Sequence, residues 1–141
     1  MTARRTSPPD PKPTDSTPTA DGGRALLTTT EADLQAQVLE VARAFGWRVA
    51  HFRAARTAHG WRTPVAADGA GFPDLVLVHE GAAPGFGRVL FRELKTDRVK
   101  LSPEQTAWLG SLSAAGANAC AWRPSDWPVI VGELTHGRGS A

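Results

Sequence analysis

The sequence predicts an α/β fold in which a mixed β-sheet is flanked by helices. Two segments have the apolar spacing and the end signals of amphipathic helices, and apolar runs of strand length lie between and after them. The predicted order along the chain is helix, three strands, helix, strand. This order favours a mixed sheet with helices packed against it.

The first predicted helix covers residues 31–45. Thr30 is a suitable N-cap, and Asp33 three positions later gives a variant of the capping box. Gly46 is a typical helix end. Apolar residues at steps of three and four form one stripe of this helix: Leu34, Val38, Val41, Ala42 and Phe45.

The second predicted helix starts at an unusually clear signal. Ser102 suits the N-cap, Pro103 suits the first helical position, and Gln105 suits the third position of a capping box. The helix continues to a stop at Gly116, and its apolar positions are Trp108, Leu109 and Leu112.

The predicted strands are residues 47–53, 75–79, 89–95 and 118–123. The turn-rich sequence EGAAPGFG separates the second strand from the third and is short enough for a hairpin. Residues 55–72 read as a long irregular loop, and loops of that length are usually functional or disordered. After Pro124 the sequence predicts a turn containing Trp127-Pro128 and then a last apolar run, Val129–Leu134.

Composition predicts one domain with a tail. Residues 1–24 are rich in Pro and Thr and contain no Val, Ile, Leu or Phe, which predicts a disordered N-terminal tail. The domain is predicted over 25–136, followed by a flexible C-terminus over 137–141. No apolar stretch follows the early arginines, which argues against a signal peptide, and none is long enough for a membrane span. A single cysteine, Cys120, excludes an internal disulfide framework and a Cys-rich zinc site. We expect a cytoplasmic protein without membrane association.

Charge is unevenly distributed along the chain. The formal net charge is only +2, yet no acidic residue occurs between Glu40 and Asp68. That interval contains five arginines and two histidines: Arg43, Arg48, Arg53, Arg56, Arg62, His51 and His59. Segregated positive charge is typical of a surface that binds a polyanion, although a solvated basic face explains it equally well.

Two apolar segments, GFPDLVL and FRELKT, carry three residues that suit metal-dependent chemistry. An antiparallel hairpin would bring Asp74 and Glu93 to the same end of the sheet, and strand alternation would place Glu93 and Lys95 on one face. Two neighbouring carboxylates repel each other, and a divalent cation such as Mg²⁺ relieves that repulsion. With a lysine beside it, such a cation suits phosphodiester hydrolysis. The alternative is structural: Asp74 would simply begin a strand, and Glu93 and Lys95 would form a charged strand edge that keeps the sheet from aggregating.

These residues also resemble a known family. Pro73-Asp74 and Glu93-Leu94-Lys95 match the pattern of PD-(D/E)XK nucleases. The longer words GFPDLVLV, LFRELKTDRVKLSPEQTAWL and SAAGANACAWRPSDW look like the VRR-NUC branch, whose small stand-alone members occur in phages and bacteria. The resemblance covers about residues 31–134, so it includes nearly the whole predicted domain.

The resemblance implies a restriction-endonuclease-like core and a set of site residues. Asp74, Glu93 and the carbonyl of Leu94 would ligate Mg²⁺ or Mn²⁺, and Lys95 would orient and activate the attacking water. Two further residues match the family's site: Glu31 as an acid on the first helix, and Gln105 in the helix after the lysine strand. For Gln105 the helix-capping role is an equally good explanation.

The function that the resemblance implies is hydrolysis of DNA phosphodiester bonds by a metal-dependent endonuclease. Its setting would be replication, recombination or repair in a bacterial or phage-infected cell, with branched DNA such as Holliday junctions as one substrate class and a homodimer as one assembly. The expected DNA contacts are Arg53, Arg56, Arg62, Arg98 and Lys100. The alternatives are a DNA-binding module on the same fold that does not cut, and a phage accessory protein.

Overall fold

The computed structural model describes residues 29–52, 55–58, 60–62 and 65–136. The predicted tail, the last five residues and Arg53 lie outside this part of the chain. The helices are α1 (Glu31–Ala44), α2 (Pro103–Ala114) and α3 (Trp127–Thr135), the last preceded by a 3₁₀ turn at Pro124–Asp126. The strands are β1 (Arg48–His51), β2 (Ala55–Thr57), β3 (Gly60–Arg62), β4 (Leu75–His79), β5 (Arg88–Leu94) and β6 (Asn118–Trp122).

The predicted mixed α/β class is confirmed by a four-stranded sheet in the order β1-β4-β5-β6. β4 is antiparallel to both β1 and β5, whereas β6 is parallel to β5 because α2 forms the crossover between them. In the β4–β5 hairpin Leu75 pairs with Arg92, which places Asp74 and Glu93 at the same end of the sheet. The turn between these strands therefore lies at the opposite end.

Both predicted helix starts are confirmed in detail. The Thr30 side chain accepts a hydrogen bond from the Asp33 N–H, and the Asp33 carboxylate accepts one from the Thr30 N–H. Ser102 and Gln105 form the equivalent reciprocal pair at the start of α2. These bonds satisfy main-chain N–H groups that have no partner within the helix.

The main core lies between one face of the sheet and the helices α1 and α3. It contains residues from both helices and from three strands: Leu34, Val38, Ala42, Leu75, Leu77, Leu90, Leu94, Trp122, Ile130 and Leu134, together with Trp47. The indole N–H of Trp47 donates to the carbonyl of Leu134 at 2.9 Å, which ties the start of the sheet to α3. By contrast, no residue of α2 is fully buried. Among the described residues, no helix has the length and apolar character that crossing a membrane requires.

Two predictions of local structure were wrong. Part of the predicted irregular loop forms a two-stranded antiparallel ribbon, β2–β3, in which Thr57 pairs with Gly60. Only two residues connect these strands, and Gly60 has a φ of +103° that favours glycine in such a tight connection. The sequence concealed the ribbon because its strands are short and lack a clear apolar alternation.

The predicted turn at Trp127-Pro128 is instead the first turn of α3, which was missing from the predicted order of elements. Pro128 is compatible with that position because the first N–H groups of a helix need no partner within it. Ile130 and Leu134 are four residues apart and are both fully buried in the core. The final apolar run therefore covers the chain's own core as a helix.

Candidate active site

Asp74 is held at the end of the sheet by main-chain hydrogen bonds. Its carboxylate Oδ2 accepts from the N–H of Leu94 at 2.9 Å, and its carbonyl accepts from the N–H of Phe52 at 2.9 Å. The first bond fixes the carboxylate against the strand that carries Glu93. The predicted meeting of the two segments that contain Asp74 and Glu93 is therefore present in the structure.

The Glu93 side chain is buried, with 2% of the residue exposed. Its Oε1 accepts a hydrogen bond from Gln105 Nε2 at 2.6 Å and lies 3.8 Å from Lys95 Nζ. Its Oε2 is buried and has no hydrogen-bond partner among the described residues. One carboxylate oxygen thus has a hydrogen-bond donor and a nearby lysine, whereas the other is a buried acceptor that receives no hydrogen bond from a described residue.

The environment of Glu93 disfavours its negative charge. Burial, followed by repulsion from the Asp74 carboxylate, raises the pKa of Glu93 to about 8. The ammonium group of Lys95 acts in the opposite direction and does not offset the other two effects. At neutral pH the pair therefore favours a bound proton or a bound cation.

Gln105 caps α2 and also contacts the Glu93 side chain. Its main-chain N–H and its side-chain Oε1 form the capping pair with Ser102, while its side-chain Nε2 reaches Glu93. The amide can serve both because its oxygen accepts and its nitrogen donates. The start of α2 thereby determines the position of the hydrogen bond to Glu93.

A glycine brings the loop before Asp74 against the start of α2. Gly71 has a φ of +83°, and a Cβ there would lie 2.5 Å from the carbonyl carbon of Glu104 and 2.8 Å from the N of Gln105. The following residue, Phe72, makes edge-to-face contacts with Phe91 and Trp108 at ring-centroid distances of 6.1 and 5.1 Å. Close main-chain packing and aromatic contacts therefore hold Asp74 and Gln105 in one unit.

The donor set fits a hard divalent cation. Two carboxylates converge, and one of them has a buried oxygen to which no described residue donates a hydrogen bond. The main chain of Leu94 lies directly beside Asp74. Oxygen ligands of this kind, completed by water, suit Mg²⁺ and Mn²⁺. The residues that would hold the cation are Asp74, Glu93 and Leu94.

Glu31 does not join these residues in the structure. It is exposed in the first turn of α1 and makes no hydrogen bond or ion pair with Asp74, Glu93 or Lys95. Across residues 29–52, 55–58, 60–62 and 65–136, no group of three or more His, Cys, Asp or Glu residues is placed to hold a metal ion. A role for Glu31 therefore stays a prediction.

The turn after Lys95 presents two of the predicted DNA contacts. Arg98 and Lys100 are exposed, and neither forms an ion pair in the described part of the chain. Arg123 holds this turn in place, because its Nη1 donates to the carbonyls of Thr96 at 2.5 Å and Val99 at 2.7 Å. Sequence reasoning had no signal for this brace, because the residues it joins are more than 20 positions apart.

The remaining predicted contacts belong to the β2–β3 region. The main chain pairs Arg56 with Trp61 and Ala55 with Arg62, so both arginines lie in the ribbon. Arg53 lies outside the described residues. The ribbon begins at Ala55, three residues after Phe52, whose N–H bonds to the carbonyl of Asp74.

Comparison with known proteins gives no family for this chain. No protein-family model, no curated protein and no solved structure matches it. Its function must therefore be inferred from the residues and distances described above.

Proposed function

We propose that this chain is a metal-dependent endonuclease that hydrolyses DNA phosphodiester bonds on a PD-(D/E)XK core of the VRR-NUC type. The observation that carries the proposal is the arrangement of Asp74, Glu93 and Lys95 at one end of the β4–β5 hairpin. Glu93 in this set has a raised pKa and a buried oxygen without a hydrogen-bond partner in the described part of the chain, and a divalent cation would correct both. Perturbed carboxylates of this kind are typical of functional sites.

In this proposal, Asp74 and Glu93 hold Mg²⁺ or Mn²⁺, and the carbonyl of Leu94 is the further ligand that the resemblance implies. When bound, the cation supplies positive charge to the phosphodiester and makes a bound water more acidic. Lys95, paired with Glu93 at 3.8 Å, donates a hydrogen bond that orients the attacking water. The water oxygen bonds to phosphorus as the bond to the 3′-oxygen breaks. The water releases one proton to solvent and the 3′-oxygen takes one up from solvent, which leaves a 5′-phosphate and a 3′-hydroxyl. Gln105 keeps the Glu93 carboxylate in place by its 2.6 Å hydrogen bond.

Positive charge next to this set supports DNA as the substrate. Arg98 and Lys100 are exposed in the turn that directly follows Lys95, and the brace from Arg123 keeps that turn in place. Arg56 and Arg62 add two further positive charges to the sequence of the ribbon. Cations in such positions bind phosphates without reading sequence, so binding should weaken steeply with salt. Branched DNA as the preferred substrate, and a homodimer as the active form, are further parts of the proposal.

The test is cleavage of defined DNA by purified protein. Supercoiled plasmid and four-way, flap and splayed DNAs are incubated with Mg²⁺, Mn²⁺ or EDTA, using wild type, Asp74→Ala and Lys95→Ala. Glu80→Ala is a matched control, because Glu80 is an exposed carboxylate just beyond the other end of β4. We expect nicking by wild type and Glu80→Ala with either metal, and none with EDTA or with the two site variants.

Two results would contradict parts of the proposal. If the protein binds DNA but does not nick it with either metal, it is a DNA-binding module and not an enzyme. This is the second candidate function, and it is favoured by the exposed position of Glu31, apart from Asp74 and Glu93. If Lys95→Ala nicks DNA at the wild-type rate, the protein is still a nuclease but Lys95 has no part in its mechanism.

A further inference from the structure

A hollow of about 390 Å³ lies on the outer side of α2, between this helix and the loop that precedes Asp74. Its size is within the range of ligand-binding clefts. The residues that line it come from the loop and from one side of the helix: Asp68, Ala70, Glu104, Ala107, Trp108 and Ser111. The lining therefore combines two small alanines with one large indole.

Contacts between the loop and α2 hold the walls of this hollow in place. The indole N–H of Trp108 donates to the carbonyl of Asp68 at 2.9 Å, which fixes the ring against the loop. Phe72 contacts the same ring edge-to-face, and the close approach of Gly71 to Glu104 fixes the distance between loop and helix. The indole face is therefore positioned before any ligand arrives, so little ordering is required on binding.

The hollow is lined mainly by apolar surface, and two of the residues that line it are acidic. Asp68 and Glu104 are exposed, and in the part of the chain that the structure describes neither carboxylate forms a hydrogen bond or an ion pair. An aromatic face also attracts cations. Phosphate groups are repelled by both carboxylates, so this surface is unsuited to the DNA backbone.

We propose that the hollow is a docking site for an arginine side chain of a partner protein. A guanidinium group is planar, stacks on aromatic rings and pairs with carboxylates through its fork of donors. It is also more weakly hydrated than an ammonium group, so it suits a hollow lined by two alanines and an indole better than a lysine does. This inference does not depend on nuclease activity.

The experiment is a nuclear magnetic resonance titration of the full chain labelled with ¹⁵N, without metal or DNA. The Trp108 indole N–H signal is assigned by its loss in Trp108→Phe. The probes are acetyl-Ala-Arg-Ala-amide, the same peptide with citrulline, which has the shape of arginine without its charge, and cytidine monophosphate. We expect the arginine peptide to shift the Trp108 signal in a saturable way, and the other two probes to leave it in place.

Matched variants locate the binding. Asp68→Asn combined with Glu104→Gln should weaken the arginine peptide about fivefold, as expected for the loss of two exposed ion pairs. Glu40→Gln removes an exposed charge from α1 and should change nothing. Absence of a saturable shift, an equal shift with citrulline, or a shift with cytidine monophosphate instead of arginine would each overturn the proposal. The citrulline comparison is made on wild type, so it stands even if a variant folds poorly.

Discussion

Arg92 and Glu93 are consecutive in β5 and are both buried, with 1% and 2% of the residue exposed, but they face opposite sides of the sheet. Arg92 donates to the carbonyls of Phe91 and Asn118 at 2.9 Å and forms an ion pair with Glu133 at 2.6 Å. Its guanidinium also lies 4.8 Å from the centre of the Trp122 ring. Among the described residues, the Glu93 side chain has a hydrogen bond from Gln105, an ion pair with Lys95 at 3.8 Å and the like charge of Asp74 beside it.

The difference shows how a buried charge that stabilises the fold can be distinguished from one that serves a functional site. Arg92 has opposite charge and acceptors around its two Nη atoms, as a group that holds two elements together does, although its buried Nε has no hydrogen-bond partner among the described residues. Glu93 is surrounded in a way that destabilises its charged form, and folding alone gives no reason for that arrangement. A cation supplied from solution gives one. The same strand therefore carries a structural charge on one face and a candidate catalytic charge on the other.

The largest expected effect is on cleavage by Glu93→Gln. Because the amide keeps the shape and removes the charge, the metal should no longer be held, and the rate of plasmid nicking should fall by about 10²–10⁴-fold. The free energy of unfolding at pH 8 should not fall, since the neutral side chain suits its surroundings better. Nicking assays and urea unfolding measure the two. Loss of both activity and stability would place Glu93 with Arg92 among the structural charges.

Arg92→Ala should mainly reduce stability, in contrast to Glu93→Gln, which should mainly reduce cleavage. Removing Arg92 takes away the buried partner of Glu133, which keeps only its longer ion pair with Arg88 at 3.4 Å among the described residues, and empties space beside Trp122. The free energy of unfolding should therefore fall by about 3–5 kcal/mol. Arg88→Ala is the matched control, because Arg88 bonds to the same Glu133 but its side chain is 32% exposed. Chemical denaturation compares the two variants. A smaller loss for Arg92 than for Arg88 would contradict the assignment.

The pH dependence of stability should report Glu93 directly. Its pKa rises from the ordinary glutamate value of 4.5 to about 8 in the folded chain, so the folded state binds more protons between these values. Glu93 should therefore make the metal-free protein progressively less stable as pH rises from 4.5 towards 8. Glu93→Gln should flatten that decline. Thermal unfolding in EDTA across this range tests it, and an unchanged slope in the variant would refute the link to Glu93.

The smallest effect concerns the link between the α2 cap and the site. Ser102→Ala removes the acceptor for the Gln105 N–H and should cost about 1 kcal/mol of stability. Because Gln105 also bonds Glu93, nicking should decrease under conditions in which the protein stays folded. Thr30→Ala removes the equivalent cap of α1 and should cost similar stability without that decrease. Equal nicking by both variants would mean that the cap does not position Glu93.

Local patterns explain why much of the fold could be predicted from the sequence. The caps at Thr30 and Ser102 join residues three positions apart, and the β4–β5 hairpin joins neighbouring strands. The meeting of Asp74 with Glu93 followed from that hairpin, since strand pairing transmits register over a short distance. The class of fold and the proximity of Asp74 to Glu93 could therefore be predicted from the sequence.

The features that the sequence did not predict depend on distant contacts or on weak local signals. α3 is a helix because Ile130 and Leu134 are buried in a core formed by residues far earlier in the chain. The brace from Arg123 and the pair of Arg92 with Glu133 each span more than 20 residues. The raised pKa of Glu93 likewise depends on burial, which no single segment of the sequence specifies.

The most direct test of the central claim is Mn²⁺ binding at pH 8, measured by isothermal titration calorimetry on three proteins without DNA. Wild type should bind Mn²⁺, Glu93→Gln should not, and Lys95→Ala should bind it, because Lys95 is placed beside the ligands rather than among them. Mn²⁺ binding by Glu93→Gln with the affinity of wild type would contradict the account, since the acid pair would then not be the metal site.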